Sequence, residues 1–154
     1  MNALAARVAR HNIASIFIYT NEAHPGEHYG HLTSMEQKLQ HARDLRDKLG
    51  ISRDILVHAL DGACHRAYGS MPNMTWIFNR GMLPIYKADW TDINSVTNSI
   101  DYFLDVSRRR KNRERLAPFN VERLDYHDQD RDAFYKGLER NGPKAVEEFR
   151  NAFG

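Results

Sequence analysis

The stretch from Ser34 to Gly50 limits what this chain can fold into more than any other part of it. Ser34 opens S-M-E-Q, in which the Ser hydroxyl can accept from the free amide of Gln37 while the Gln37 side chain reaches back to the Ser34 amide. Met35, Leu39, Ala42, Leu45 and Leu49 then recur at spacings of four, three, three and four. They form one apolar stripe of a helix, and Gly50 supplies the left-handed residue that stops it.

Such a stripe has to be covered, and the flanking sequence offers strands. Ile13 to Thr20 is rich in Ile and aromatic residues and reads as a buried strand, and Ile55 to Leu60 as a second. Thr75 to Asn79 and Leu83 to Lys87, separated by Arg80-Gly81, are predicted to pair as an antiparallel hairpin. Before them, Leu4, Ala5 and Val8 sit at helical spacing within residues 2 to 11. After them, Asp92 caps a helix whose Ile93, Val96, Ile100, Phe103 and Leu104 carry it to about Val106. The order helix, strand, helix, strand, hairpin, helix predicts an α/β fold with helices covering a mixed sheet.

The composition shifts at residues 108 to 115, RRRKNRER, which hold six positive charges and one negative. A boundary is expected there, giving a domain over 1–106 and a basic linker with a helical tail over 107–154. Two short helices are predicted in the tail, about 129 to 140 and 143 to 152, with Pro143 in the favoured first turn. Their seam of Phe134, Leu138, Val146 and Phe149 is too small for a separate core, so the tail must dock on the domain or on a partner.

With 154 residues, 42% apolar and 27% charged, the chain can fold without staples. Its longest apolar run, Ile16 to Tyr19, cannot cross a bilayer. Arg7 and Arg10 interrupt any secretory core at the amino terminus, so a cytoplasmic protein without membrane contact is expected. The net charge of +2 and the lack of aromatics within the basic run favour a solvated segment over a nucleic-acid site. Trp76 and Trp90 read as core and sheet-edge residues. Cys64 is the only cysteine, which excludes an internal disulfide and a C-x-x-C pair within this chain.

The densest polar cluster, Asn21 to His31, follows the first strand, where open α/β sheets place ligand sites. Its His24, His28 and His31 with Glu22 and Glu27 are ligand types for a divalent metal, although His-x3-His-x2-His matches no strong metal motif. The same residues can form a solvated turn, or Glu22 and His24 can work as a general acid and base, the carboxylate fixing the imidazole tautomer. Cys64 stands beside His65 and Arg66, which can lower a thiol pKa, but a small packing residue is the plainer role.

The segment Ile16-Phe17-Ile18-Tyr19-Thr20-Asn21-Glu22-Ala23-His24-Pro25 resembles the strand and E-A-H-P loop of the iodothyronine deiodinases and their bacterial relatives. Glu36-Gln37-Lys38 is similar to the family's E-D-R, and Ala67-Tyr68-Gly69 before the hairpin is similar as well. The match covers roughly residues 13 to 105. It implies a thioredoxin-like fold and a chemistry in which a selenocysteine or cysteine reductively removes iodide from an iodinated phenol. On that resemblance Glu22 and His24 handle protons beside the nucleophile, with His31 near a second functional histidine. The family's substrate-holding arginine falls at Met74, which cannot make a charged contact and argues against thyroid hormone itself. Pro72 falls where the superfamily has a cis proline, so Met71-Pro72 is expected to be cis.

The resemblance also implies a central strand and a nucleophile ahead of the first helix, and a chain that begins at that helix is expected to lack both. The expectation is a thioredoxin-like mixed sheet that lacks its usual first core strand. Its exposed strand edges should draw in a second copy or a partner chain that supplies a strand. The expected function is a deiodinase-like binding or assembly module, or half of a reductive site completed by a partner, with no cofactor. The alternatives are an active oxidoreductase using Cys64 or the His24, His28, His31 loop with a metal, and a small-molecule binder using an apolar cleft under the Pro25 to Gly30 loop.

Overall fold

A computed structural model of the protein describes residues 1–69, 71–116 and 130–153. The elements, in chain order, are α1 (Asn2–Ala9), β1 (Ile16–Tyr19), α2 (Met35–Leu49), β2 (Asp54–Val57), α3 (Ala63–Tyr68), β3 (Thr75–Phe78), β4 (Pro84–Ala88), α4 (Ile93–Lys111), α5 (Arg131–Arg140) and α6 (Pro143–Phe153). The fold is mixed α/β, and the described strands form two separate two-stranded sheets, β1-β2 and β3-β4. The chain divides into two compact units, Met1–Pro72 with Gln129–Gly154, and Asn73–Asp128.

In the first unit β1 and β2 run parallel in register from Ile16 opposite Asp54 to Tyr19 opposite Val57, with α2 as the crossover between them. Ser34 caps α2 as its sequence requires, accepting from the Gln37 amide at 3.1 Å. The reciprocal half of the box differs, because the Gln37 side chain reaches the Thr33 amide at 2.9 Å instead of that of Ser34. At the other end Gly50 adopts φ 65°, and the Asn2 side-chain amide donates to its carbonyl at 2.6 Å, tying α1 to the end of α2.

Which face α2 buries is a correction to the periodicity. Lys38, His41 and Ala42 are buried, whereas Met35, Leu39 and Leu49 are exposed. The apolar stripe and the buried stripe share Ala42 but diverge along the helix, and the buried one carries a lysine and a histidine. Strand β1 differs in the same way. It is shorter than the run from Ile13 to Thr20 and is covered on one face only, with Tyr19 buried and Ile16 and Ile18 exposed.

The helical tail docks within the first unit, on the loop after β1. Asn141, at the end of α5, donates through its side-chain amide to the carbonyls of His24 at 2.9 Å and Tyr29 at 3.2 Å. It accepts from the Tyr29 amide at 2.6 Å. Glu27 accepts from the Lys144 amide at 3.1 Å, at the start of α6, where an N-terminal helix end favours a carboxylate. Pro25 and Gly26 are buried, and a Cβ on Gly26 would run into the Asn141 carbonyl oxygen. The space under the Pro25 to Gly30 loop is therefore filled by α5 and α6, which removes the apolar ligand cleft expected there.

In the second unit β3 and β4 pair antiparallel as predicted, with an irregularity between Ile77 and Phe78. Their turn is organised by Asn79, whose side chain accepts from the Gly81 and Leu83 amides at 2.9 and 3.0 Å. Trp76 stacks on Phe78 with ring centres 6.0 Å apart, and Trp90 is exposed. Asp92 caps α4, accepting from the Ser95 amide at 2.6 Å. The helix buries Val96 and Ile100 and runs to Lys111, unbroken across residues 106 and 107. The basic run ends a helix, where cations face the free carbonyls, and Arg108 is held by Asp105 at 2.6 Å and by Glu114 at 3.3 Å. The Met71-Pro72 bond is trans, contrary to the expected cis bond. The middle of the linker, residues 117–129, lies outside the described residues.

Candidate functional site

Parallel strands joined by a helix leave a crevice at their carboxyl ends. Here it is a cleft of about 310 Å³ lined by Thr20, Asn21 and Glu22 after β1, His31 and Leu32 before α2, and Lys38 on α2. His58, Leu60 and Asp61 after β2, with Gly62 and Arg66 at α3, complete it.

Behind Glu22 stands a buried relay. The Tyr19 hydroxyl bonds the Glu22 carboxylate and lies 3.0 Å from His41 Nδ1, which is itself 3.4 Å from the same carboxylate. A phenol has one proton to give. With the hydroxyl donating to Glu22, the tautomer satisfying all three groups has His41 Nδ1–H donating to the Tyr19 oxygen. The Tyr29 ring meets the His41 ring edge-on at 4.9 Å, fixing its plane. Burial, together with the Glu22 carboxylate, holds the Tyr19 hydroxyl well above the ordinary tyrosine range, so the relay keeps its proton at neutral pH.

Lys38 is 1% exposed, and its ammonium donates to the Ala59 carbonyl at 3.4 Å. Burial lowers its pKa, opposed by the charges of Asp61 and Cys64. Cys64, a free and partly buried thiol on α3, therefore lies within electrostatic reach of Lys38 although it does not line the cleft.

The candidates named from the sequence separate in space. Glu22 and His31 line the cleft. His24 instead packs edge-on against Phe149 at 5.2 Å and Phe134 at 6.1 Å, so the imidazole partner of Glu22 is His41 and not His24. His28 is exposed, its amide bonding the Asn141 carbonyl at 3.4 Å. Among the described residues no group of three His, Cys, Asp or Glu side chains is placed to hold a metal ion, so the proposed ligand set of His24, His28 and His31 does not assemble. The sequence singles out Lys38 only as part of E-Q-K and leaves His41 and His58 unmarked. The signal for the first two was their spacing of three on α2, on the face that proved to be buried.

His24 gives a pH prediction. Burial against the two phenylalanines lowers its pKa below 6.5, with Glu148 partly opposing. The unfolded chain thus binds the proton more readily, and stability present above about pH 6.5 is lost as the pH falls. Urea unfolding at pH 7 and pH 5 should show a drop that His24→Phe reduces; an equal drop in that variant would sink the assignment.

Among the described residues no helix is long and apolar enough to cross a membrane. Compared with protein-family models, with curated proteins and with solved structures, the chain matches none.

Proposed function

We propose that this chain is a deiodinase-like protein of thioredoxin ancestry whose cleft is the proton-handling half of a reductive site, the reducing sulfur being supplied by a partner. The observation that carries this reading is the buried chain from His41 through Tyr19 to Glu22, ending in a cleft at the carboxyl edge of a parallel strand pair. The partner's thiolate attacks the halogen of a halogenated phenol, forming a sulfur–halogen bond as the carbon–halogen bond breaks. The carbon keeps the electron pair and takes the proton that the Tyr19 hydroxyl shares with the Glu22 carboxylate, and solvent returns that proton to Tyr19 through His41. A second thiol then converts the sulfenyl halide to a disulfide, releasing halide and a proton.

Titration of 2,6-diiodophenol, followed by the histidine ring signals, should shift His31 and His41, and Glu22→Gln should weaken binding about tenfold. A wild-type chain whose rings do not shift sinks the reading. Iodide release by the chain alone, with dithiothreitol as reductant, should stay at background.

A second reading uses Cys64 as the sulfur, favoured by its electrostatic reach to Lys38. Iodide release above background that Cys64→Ser abolishes would transfer the function to it.

Completion of the sheet by a strand of a second copy, apart from the partner that brings the sulfur, is supported by the β1-β2 pair. Two strands alone are marginal, and Ile16, Ile18 and Leu56 are exposed at 52%, 38% and 52%. Light scattering should find a dimer or larger species; a monomer at high concentration would count against it.

A further inference from the structure

The cleft holds more hydrogen-bond donors than it has acceptors for. Lys38 has three N–H bonds and, among the described residues, one hydrogen-bond partner, the Ala59 carbonyl at 3.4 Å. Both ring nitrogens of His58 are shut off from solvent and meet no hydrogen-bond partner among the described residues. Arg66 donates through Nη1 to the Asp61 carbonyl at 2.7 Å, leaving its other N–H groups. The carboxylates nearby are engaged: Glu22 by the Tyr19 hydroxyl, and Asp61 by the Ala63 amide at 3.0 Å.

Buried donors without acceptors are costly, and buried cations more so, unless a ligand supplies what the protein does not. Two such groups, Lys38 of α2 and His58 after β2, line one cleft of about 310 Å³ together with the exposed Arg66 of α3, room for a small molecule.

We propose that this cleft binds a small oxyanion, a carboxylate or phosphate group, on Lys38, His58 and Arg66. An oxyanion offers two or three acceptor oxygens, which match an ammonium, an imidazole N–H and a guanidinium better than any neutral group does. Glu22 and Asp61 in the same lining repel a second acidic group. The rest of the ligand is therefore neutral or carries a hydroxyl or amine. The proposal rests on the reading of this cleft as the working site but requires no reductive step.

The test titrates inorganic phosphate, and separately acetate, into the full chain in a chloride-only buffer, read by calorimetry and by the His58 ring signals. Saturable binding near or below about 1 mM is expected for at least one of them, with a shift of the His58 ring. Lys38→Met and His58→Phe should each weaken binding about tenfold or more. Arg66→Gln, on the exposed side of α3, tests the same prediction should either buried variant fail to fold. Saturation by phosphate alone identifies a phosphate ligand, and by acetate alone a carboxylate. Failure of both to saturate, or equal affinity in the three variants, overturns the proposal. Binding of diiodophenol without either anion would leave the proton-handling reading standing and remove this one; the converse would do the opposite.

Discussion

Replacing Asn141 by leucine is expected to free the α5 and α6 pair from the loop after β1, at a cost of about 3 kcal/mol. The side chain is 9% exposed and satisfies three backbone groups, the His24 carbonyl and the amide and carbonyl of Tyr29. Leucine keeps the bulk and removes every one of those bonds, so the loss is the penalty for stranded polar groups and not for a cavity. Gly26→Ala should act on the same contact sterically, since its new Cβ meets the Asn141 carbonyl oxygen, a backbone atom that cannot swing away. Gly137→Ala is the counterweight. Gly137 lies inside α5 with open space where a Cβ would stand, and removing its excess unfolded-state freedom should stabilise by roughly 0.5–1 kcal/mol. Urea unfolding and the His24 ring signal read all three. An Asn141→Leu chain within about 0.5 kcal/mol of the parent, with His24 unmoved, would show that the tail is held by something else.

Lys38→Met should raise stability by about 1–2 kcal/mol while removing anion affinity, two effects of opposite sign from one atom group. The ammonium is buried at a cost and recovers only a long bond to Ala59, whereas methionine fills similar space without charge. Asp61 is exposed, so losing its neighbour strands no buried charge. The groups acting on Lys38 fix the pH behaviour: burial lowers its pKa, and Asp61 and Cys64 oppose. A group whose folded pKa is lowered leaves the unfolded chain holding the extra proton. Parent stability should therefore rise with pH through the window between the lowered pKa and the ordinary lysine value near 10.4, and the gap to Lys38→Met should narrow there. Thermal unfolding of both chains from pH 7 to 10 measures this. A less stable Lys38→Met chain at pH 7 would mean that the lysine is paired better than its contacts indicate.

Local chemistry made much of the frame legible. The Ser34 and Asp92 caps, the Gly50 stop, the hairpin around Arg80-Gly81 and Pro143 at the head of α6 are decided by a few neighbouring residues. Glu22 and His31 could be named because they follow a strand at its ligand-bearing end. Two features escape the local signals for local reasons. α3, six residues between Gly62 and Gly69, is too short to show a period. α4 runs past its expected end near Val106 because cations suit the last turn of a helix and the arginine run continues it.

The sequence by itself determined where the principal helices and strands lie, because caps, turns and periodicity act over four or five residues. Only the tertiary structure decided which stripe of α2 turns inward, since an apolar stripe and one holding Lys38 and His41 overlap at Ala42 and the covering neighbours choose between them. It likewise decided that Glu22 meets His41 on a helix and not His24 two residues on, and that Asn141 closes on Tyr29 across 112 positions. Contacts at that range depend on how whole elements pack, and no local spacing in the chain encodes them.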